Sequence, residues 1–156
     1  MDLHLDLQIA LDTTGLTLPS EQQIRDWVSS ALNGRMPSAE VTVRIIDEIE
    51  IEQLNQQYRH KQGPTNVLSF PFETDVPMEI PLLGDIVICA PVVAREAVEQ
   101  HKELFSHWAH MLIHGSLHLL GYDHHTDNEA DAMEQQEIQI MQQLGFSNPY
   151  EVNTQP

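Results

Sequence analysis

The residues of this chain best suited to chemistry lie in one stretch, His114-Gly115-Ser116-Leu117-His118-Leu119-Leu120-Gly121-Tyr122-Asp123-His124. Three histidines stand at i, i+4 and i+10, with a glycine at i+7. On a helix, His114 and His118 are one turn apart and project from the same face. Gly121 then ends the helix, because glycine takes the left-handed C′ conformation without a Cβ penalty. The chain turns back and can present His124 to the same point in space. Three neutral imidazoles converging there make an open site for one Zn²⁺ ion, tetrahedral, with its fourth position left for water.

This spacing matches the zinc-protease pattern H-E-x-x-H-x-x-G-x-x-H at every metal position, so the helix-turn resembles that of metzincins. The protease general base would directly follow the first histidine. That residue is Gly115, which carries no carboxylate. The pattern keeps the metal and discards the peptidase base, which points to different chemistry. A structural zinc is the competing reading. Such sites close all four positions with protein ligands, and His125 or Asp123 could supply the fourth. A metal-bound histidine needs an acceptor on its other nitrogen to set its tautomer. Asp123 is a candidate, its rival role being to shape the turn after Gly121. Seven of the nine histidines fall between 101 and 125. His107 and His110 continue the spacing toward the N-terminus and read as packed or hydrogen-bonding neighbours of the site.

The elements that must position these residues follow from periodicity. Residues 2–11 alternate polar and apolar, as a half-buried strand does. Ser20 and Gln23 form a capping box for a helix to about Leu32, with Ile24, Trp27, Val28, Ala31 and Leu32 as its apolar stripe. A strand covers 41–46. Asp47 can cap a second helix to about Arg59, with Ile49, Ile51, Leu54 and Tyr58 as its core side. A loop at 60–66 leads into a short strand at 67–70. Another strand runs from Leu82 to Cys89. Pro91 suits the first turn of a helix to about Lys102. The metal helix spans about Leu104 to Leu120. Thr126 and Glu129 can cap a last helix, about 127–144, ended by Gly145. The order β-α-β-α-β-β-α-α-α predicts an α/β fold of the α+β type, a sandwich of helices around one small mixed sheet. Residues 1–146 read as a single domain and 147–156 as a flexible C-terminal tail.

At 156 residues the chain can bury a real core, and 41% hydrophobic residues fit a globular protein. Cys89 is the one cysteine, so no internal disulfide can form, which fits a reducing cytoplasm. It stands in a strand-like apolar run and reads as a core residue. Asp2 and Asp6 interrupt any apolar signal segment, and no stretch suits a membrane span. The expected location is cytoplasmic. The net charge of −17, taken alone, argues against nucleic acid. Its distribution matters more. All seven Lys and Arg lie at or before Lys102, whereas the last helix is acidic and reads as a solvated face. Zinc on neutral histidines adds positive charge locally, and Arg59 and Lys61 can add more.

Those two cations stand in a second segment, Tyr58-Arg59-x-Lys61-x-x-Pro64-Thr65-Asn66-Val67-Leu68-Ser69-Phe70-Pro71. Arg59 at a helix C-terminus is favoured by the macrodipole alone. It also suits an anion clamp, because guanidinium meets phosphate oxygens bidentately and stays charged. The histidine motif, this segment and Leu83-Gly84-Asp85-Ile86-Val87-Ile88, in that family's order, resemble the bacterial YbeY family of endoribonucleases and rRNA maturation factors. Many members carry Asp where Asn66 stands here, at a position that reads as a turn. The resemblance implies a metal-dependent, single-strand-specific endoribonuclease acting in 16S rRNA 3′-end maturation and ribosome quality control. It implies zinc on His114, His118 and His124, a functional role for Arg59, and links to small-subunit ribosomal proteins and a ribosome-assembly GTPase.

The expected mechanism follows from the open site. Zinc lowers the pKa of its water from about 15.7 towards roughly 7, with His114 among the catalytic ligands. Arg59, helped by Lys61, steadies charge on the phosphate oxygens. A missing carboxylate base hurts phosphoryl transfer less than peptide hydrolysis. Two rivals stand beside it: a zinc metallopeptidase, which Gly115 opposes, and a non-catalytic ribosome-assembly factor with a structural zinc, which the acidic surface favours.

Overall fold

Ile86, Val87, Ile88 and Cys89 are all buried, with no alternation between faces. A strand reads this way when both faces are covered. It belongs to β4 (Leu82–Cys89), an inner strand of a four-stranded sheet of order β1-β2-β4-β3. The computed structural model describes residues 1–74 and 76–151. Strands β1 (Asp2–Ala10) and β2 (Ser38–Ile46) pair in parallel, as do β2 and β4. Strand β3 (Val67–Pro71) runs antiparallel to β4. Five helices complete the chain: α1 (Glu21–Leu32), α2 (Glu48–Arg59), α3 (Ala90–Glu99), α4 (Leu104–Leu119) and α5 (Asp127–Gln143). The element order and the mixed sheet are those expected.

The sheet separates two apolar clusters. Ile86 and Ile88 join Val41, Val43 and Ile45 in the larger core, with Ile24 and Val28 of α1, Trp108, Leu112 and Leu117 of α4, and Met133 and Ile140 of α5. Val87 and Cys89, on the other face, meet Ile51 of α2 and Val92 of α3. Helix α4 is the central pillar. Eleven of its sixteen residues are buried, as expected of a helix that is apolar on every side. It lies so close to the sheet that a Cβ on Gly115 would sit 2.9 Å from Ile86 Cγ2 and 3.2 Å from Ser69 Oγ. Ser69 Oγ donates to the Gly115 carbonyl at 3.0 Å across this contact.

Local signals act largely as their chemistry dictates. Ser20 and Gln23 form the reciprocal capping box, and Thr126 accepts from the Glu129 N–H. Gly121 takes φ 102°, while Gly121 N–H bonds His118 O and Tyr122 N–H bonds Leu117 O. That is the paired-bond helix stop known as the Schellman motif. Helix α3 ends at Glu99, short of the expected Lys102, because His101 adopts φ 54° and closes the same motif with Lys102 N–H bonded to Ala97 O.

Helix α2 departs from its expected face. Ile51 is buried and Leu54 packs nearby, but Ile49 is 72% exposed and Tyr58 55% exposed. The helix buries a narrow stripe, Ile51 and Asn55, one turn apart, and Tyr58 instead meets Phe70 edge-on at 5.2 Å. Asp47 does not cap its own helix with its side chain. Its carboxylate accepts from Asp12 N–H at 2.6 Å and Thr13 Oγ1 at 2.5 Å, tying down the loop after β1. Hydrogen bonds from the Thr13 hydroxyl and the Asp12 N–H hold its pKa below the ordinary carboxylate range.

Residues 152–156 of the expected tail lie outside the described residues. Before them, Pro149 is buried and its carbonyl accepts from Lys102 Nζ at 2.8 Å.

Candidate metal centre

Helix α4 presents His114 and His118 one turn apart, and the Gly121 turn returns His124 to them. Their ligand nitrogens all lie within 4.8 Å of one another. The site expected from spacing is therefore assembled by the helix and its stop.

The tautomers follow from the partners. His114 Nδ1 donates to Glu137 Oε1 at 2.5 Å, and His118 Nδ1 donates to the Tyr122 carbonyl at 2.9 Å. Both acceptors lack protons to give, so each neutral ring carries its proton on Nδ1 and leaves Nε2 bare. The two Nε2 atoms face each other at 3.0 Å. Two lone pairs at that distance repel, and a cation between them removes the conflict. Zinc held at about 2.0–2.1 Å by each nitrogen in a tetrahedron needs about 3.3 Å between them. The donor set thus fits a metal ion. Burial, with His114 and His124 beside it, pushes the His118 pKa down to about 4, which keeps this ring neutral and ready to bind.

Glu137 is the residue that sequence reading missed. The acidic last helix reads as a solvated face, yet its Glu137 is fully buried. Besides His114, it accepts from His110 Nε2 at 3.0 Å and from the Tyr150 hydroxyl. Burial alone would raise its pKa. The hydrogen bonds from His110 and His114 outweigh that and hold it at about 2. A fixed negative charge therefore stands behind a ligand of a cation site. One signal for it exists in the sequence. Met133, Glu137, Ile140 and Met141 form the buried stripe of α5, and a lone acid on such a stripe is out of place unless partnered.

Asp123 does not take the role considered for it. Its carboxylate accepts from the His124 N–H at 2.8 Å and meets His125 Nε2 at 2.8 Å. It shapes the turn and touches no ligand ring, and His125 stays outside the cluster. His107 and His110 are buried hydrogen-bonding neighbours as expected, His107 Nε2 donating to Glu96 at 2.9 Å.

Arg59 and Lys61 come to the same place. With Asn55, Asn66 and the three histidines they line one cleft of about 190 Å³. Arg59 ends α2, where His60 turns left-handed at φ 55°. Asn55 Nδ2 donates to the Gly63 carbonyl at 3.0 Å and pins the loop that carries Lys61. Among the described residues neither cation is in an ion pair, so both can receive an anion. Asn66 is a turn residue, its Oδ1 accepting from Val67 N–H, and its Nδ2 also donates to Glu96 at 3.0 Å.

Residues 9–145 match the family described as endoribonuclease YbeY. The chain belongs to the YbeY endoribonuclease family. Membership supports an rRNA-processing endoribonuclease role, and the histidine cluster is where a YbeY metal ion can be held. The fold is shared with the solution structure of TM1509 from Thermotoga maritima, at 24% identity and a TM-score of 0.54, over 93% of this chain and 99% of that one. The YbeY site differs from a zinc protease at Gly115, where Ile86 and Ser69 leave no room for a base. Its likeness to metzincins rests on ligand spacing alone. Among the described residues no helix is long and apolar enough to cross a membrane.

Proposed function

We propose that this protein is a zinc-dependent, single-strand-specific endoribonuclease acting in 16S rRNA 3′-end maturation and ribosome quality control, within one domain. One observation carries the reading. Arg59 and Lys61 line the same cleft as His114, His118 and His124, and the chain is a YbeY family member. Zinc bound by the three imidazoles would supply a Lewis acid beside the scissile phosphate.

The protein's own groups do the rest. Arg59 grips two non-bridging phosphate oxygens, and its charge counts most when negative charge builds on them. Lys61 draws the RNA backbone in as a mobile point charge. Glu137 and Tyr122 keep His114 and His118 in the tautomer that points Nε2 at the metal.

The test is cleavage of a single-stranded RNA carrying the 16S 3′ region by zinc-loaded protein, beside His114→Ala. Metal-dependent cleavage lost in the variant is the expected result. Equal cleavage by both proteins, or by neither, overturns it. A 2′,3′-cyclic phosphate on the product would identify the 2′-hydroxyl as nucleophile, and a 3′-hydroxyl would identify water.

The charge of −17 favours a second reading, a non-catalytic assembly factor that docks on basic small-subunit ribosomal proteins or on an assembly GTPase. Zinc-loaded protein that binds ribosomal subunits but leaves RNA intact would establish that role.

A further inference from the structure

We infer that Tyr150 is a positioning residue for the metal centre, acting through Glu137 on His114. The inference rests on the metal reading of the three histidines and on no property of the RNA.

Glu137 has no exposure to water. A carboxylate there must be satisfied by protein donors, and each missing donor frees it to rotate. Two of its donors, His110 and His114, come from α4, where the fold fixes them. The third is the Tyr150 hydroxyl, and it comes from beyond α5. Tyr150 donates to Oε2, the oxygen that also takes His110, which leaves Oε1 to His114 alone. The Tyr150 hydroxyl therefore helps set the plane of the carboxylate, and that plane aims the His114 ring.

The segment bearing Tyr150 is built to place it. After α5 stops at Gly145, Phe146 packs edge-on against Trp27 at 6.2 Å. Pro149 is buried and held by the Lys102 ammonium at its carbonyl. Asn148 Oδ1 accepts from the Tyr150 N–H at 2.8 Å and fixes the turn. The Tyr150 ring then lies edge-on to His110 at 5.3 Å. Although the residue as a whole is 43% exposed, its hydroxyl reaches a fully buried acid. An aromatic that only covered the surface would not need that bond.

Tyr150→Phe removes the hydroxyl and keeps the ring. Zinc affinity, measured by competition with a chromophoric chelator, should fall about tenfold, the lower end for a partner of a metal ligand. The visible spectrum of the cobalt-substituted protein should change as the His114 ring shifts. Lys102→Met, which loosens Pro149, should move both readouts in the same direction by less. Circular dichroism of the metal-free variants should match wild type. Wild-type affinity and an unchanged cobalt spectrum in Tyr150→Phe would overturn the inference. So would wild-type protein that takes up neither zinc nor cobalt, which would also remove the zinc reading above. RNA cleavage is not read in these measurements, so failure of the nuclease proposal alone leaves their outcome standing.

Discussion

Glu137 accepts a hydrogen bond from His114 Nδ1 at 2.5 Å, across 23 residues of sequence and between two helices. The last helix is thereby joined to the metal site by a buried charge. A solvated acid would have been free to drift. This one is fixed by three donors and fixes a ligand in return.

Glu137→Gln keeps the volume but turns an amide NH₂ toward a donor. Zinc affinity should drop by about 10–100-fold, and stability by about 1–3 kcal/mol from the donor left unpaired. Chelator competition and urea unfolding measure the two. Unchanged affinity would mean that His114 is held by helix α4 alone.

Metal removal should lower thermal stability. Zinc at about a thousandfold over its Kd adds about 4 kcal/mol, which corresponds to about 8–16 °C in a domain of this size. Calorimetry with and without chelator should show this shift in wild type. His118→Ala should show none.

Arg59→Ala should reduce RNA cleavage by about 10²–10³-fold while zinc content stays at the wild-type level. Because the side chain is exposed, stability should stay within about 0.5 kcal/mol. Full activity in a zinc-loaded Arg59→Ala protein would remove Arg59 from the chemistry.

Gly115→Ala sets two effects against each other. Alanine favours a helix interior over glycine by about 1 kcal/mol. The new methyl, however, meets buried Ile86 at 2.9 Å, and overpacking of that kind costs about 1–3 kcal/mol. The clash should win, giving a net loss in urea unfolding. Gly115→Glu should fail to fold, so the peptidase motif cannot be restored by one substitution. A Gly115→Ala protein more stable than wild type would disprove the close approach of α4 to the sheet.

Glu96 predicts part of the acid response. Burial raises its pKa, but hydrogen bonds from His107 and Asn66 lower it further, to a net position below the usual 4.5. A carboxyl with a lower pKa folded than unfolded stabilises the fold above 4.5 and loses that contribution as pH falls through its folded value. Metal-free wild type should therefore lose stability below about pH 4.5 more steeply than Glu96→Gln, read from urea midpoints across pH. Parallel slopes would show that the Glu96–His107–Asn66 contacts do not discriminate between protonation states.

The chain alone determined what depends on neighbours a few residues away. Alternation and 3.6-residue periodicity placed the strands and helices, Ser20 and Gly121 marked their ends, and His114, His118 and His124 lie together because a helix turn and a left-handed glycine are local geometry. What failed was whatever depends on which face a distant element covers. Ile49 and Tyr58 were expected inside, but α2 buries a narrower stripe than its apolar residues allow. Asp47 turned to Asp12 and Thr13 because their N–H groups and hydroxyl come from another loop. Asp123 serves its turn, and the Tyr122 carbonyl that accepts from His118 belongs to the same local helix stop, while tertiary packing supplied Glu137 as the acceptor for His114. Arg59 and Lys61 were legible as cations, but only the packing of β3 against α4 brought them to the histidines. Local geometry is written in spacing. The depth of burial that makes Glu137 a partner for His114, and leaves Gly115 without room for a side chain, exists only once the helices close on the sheet.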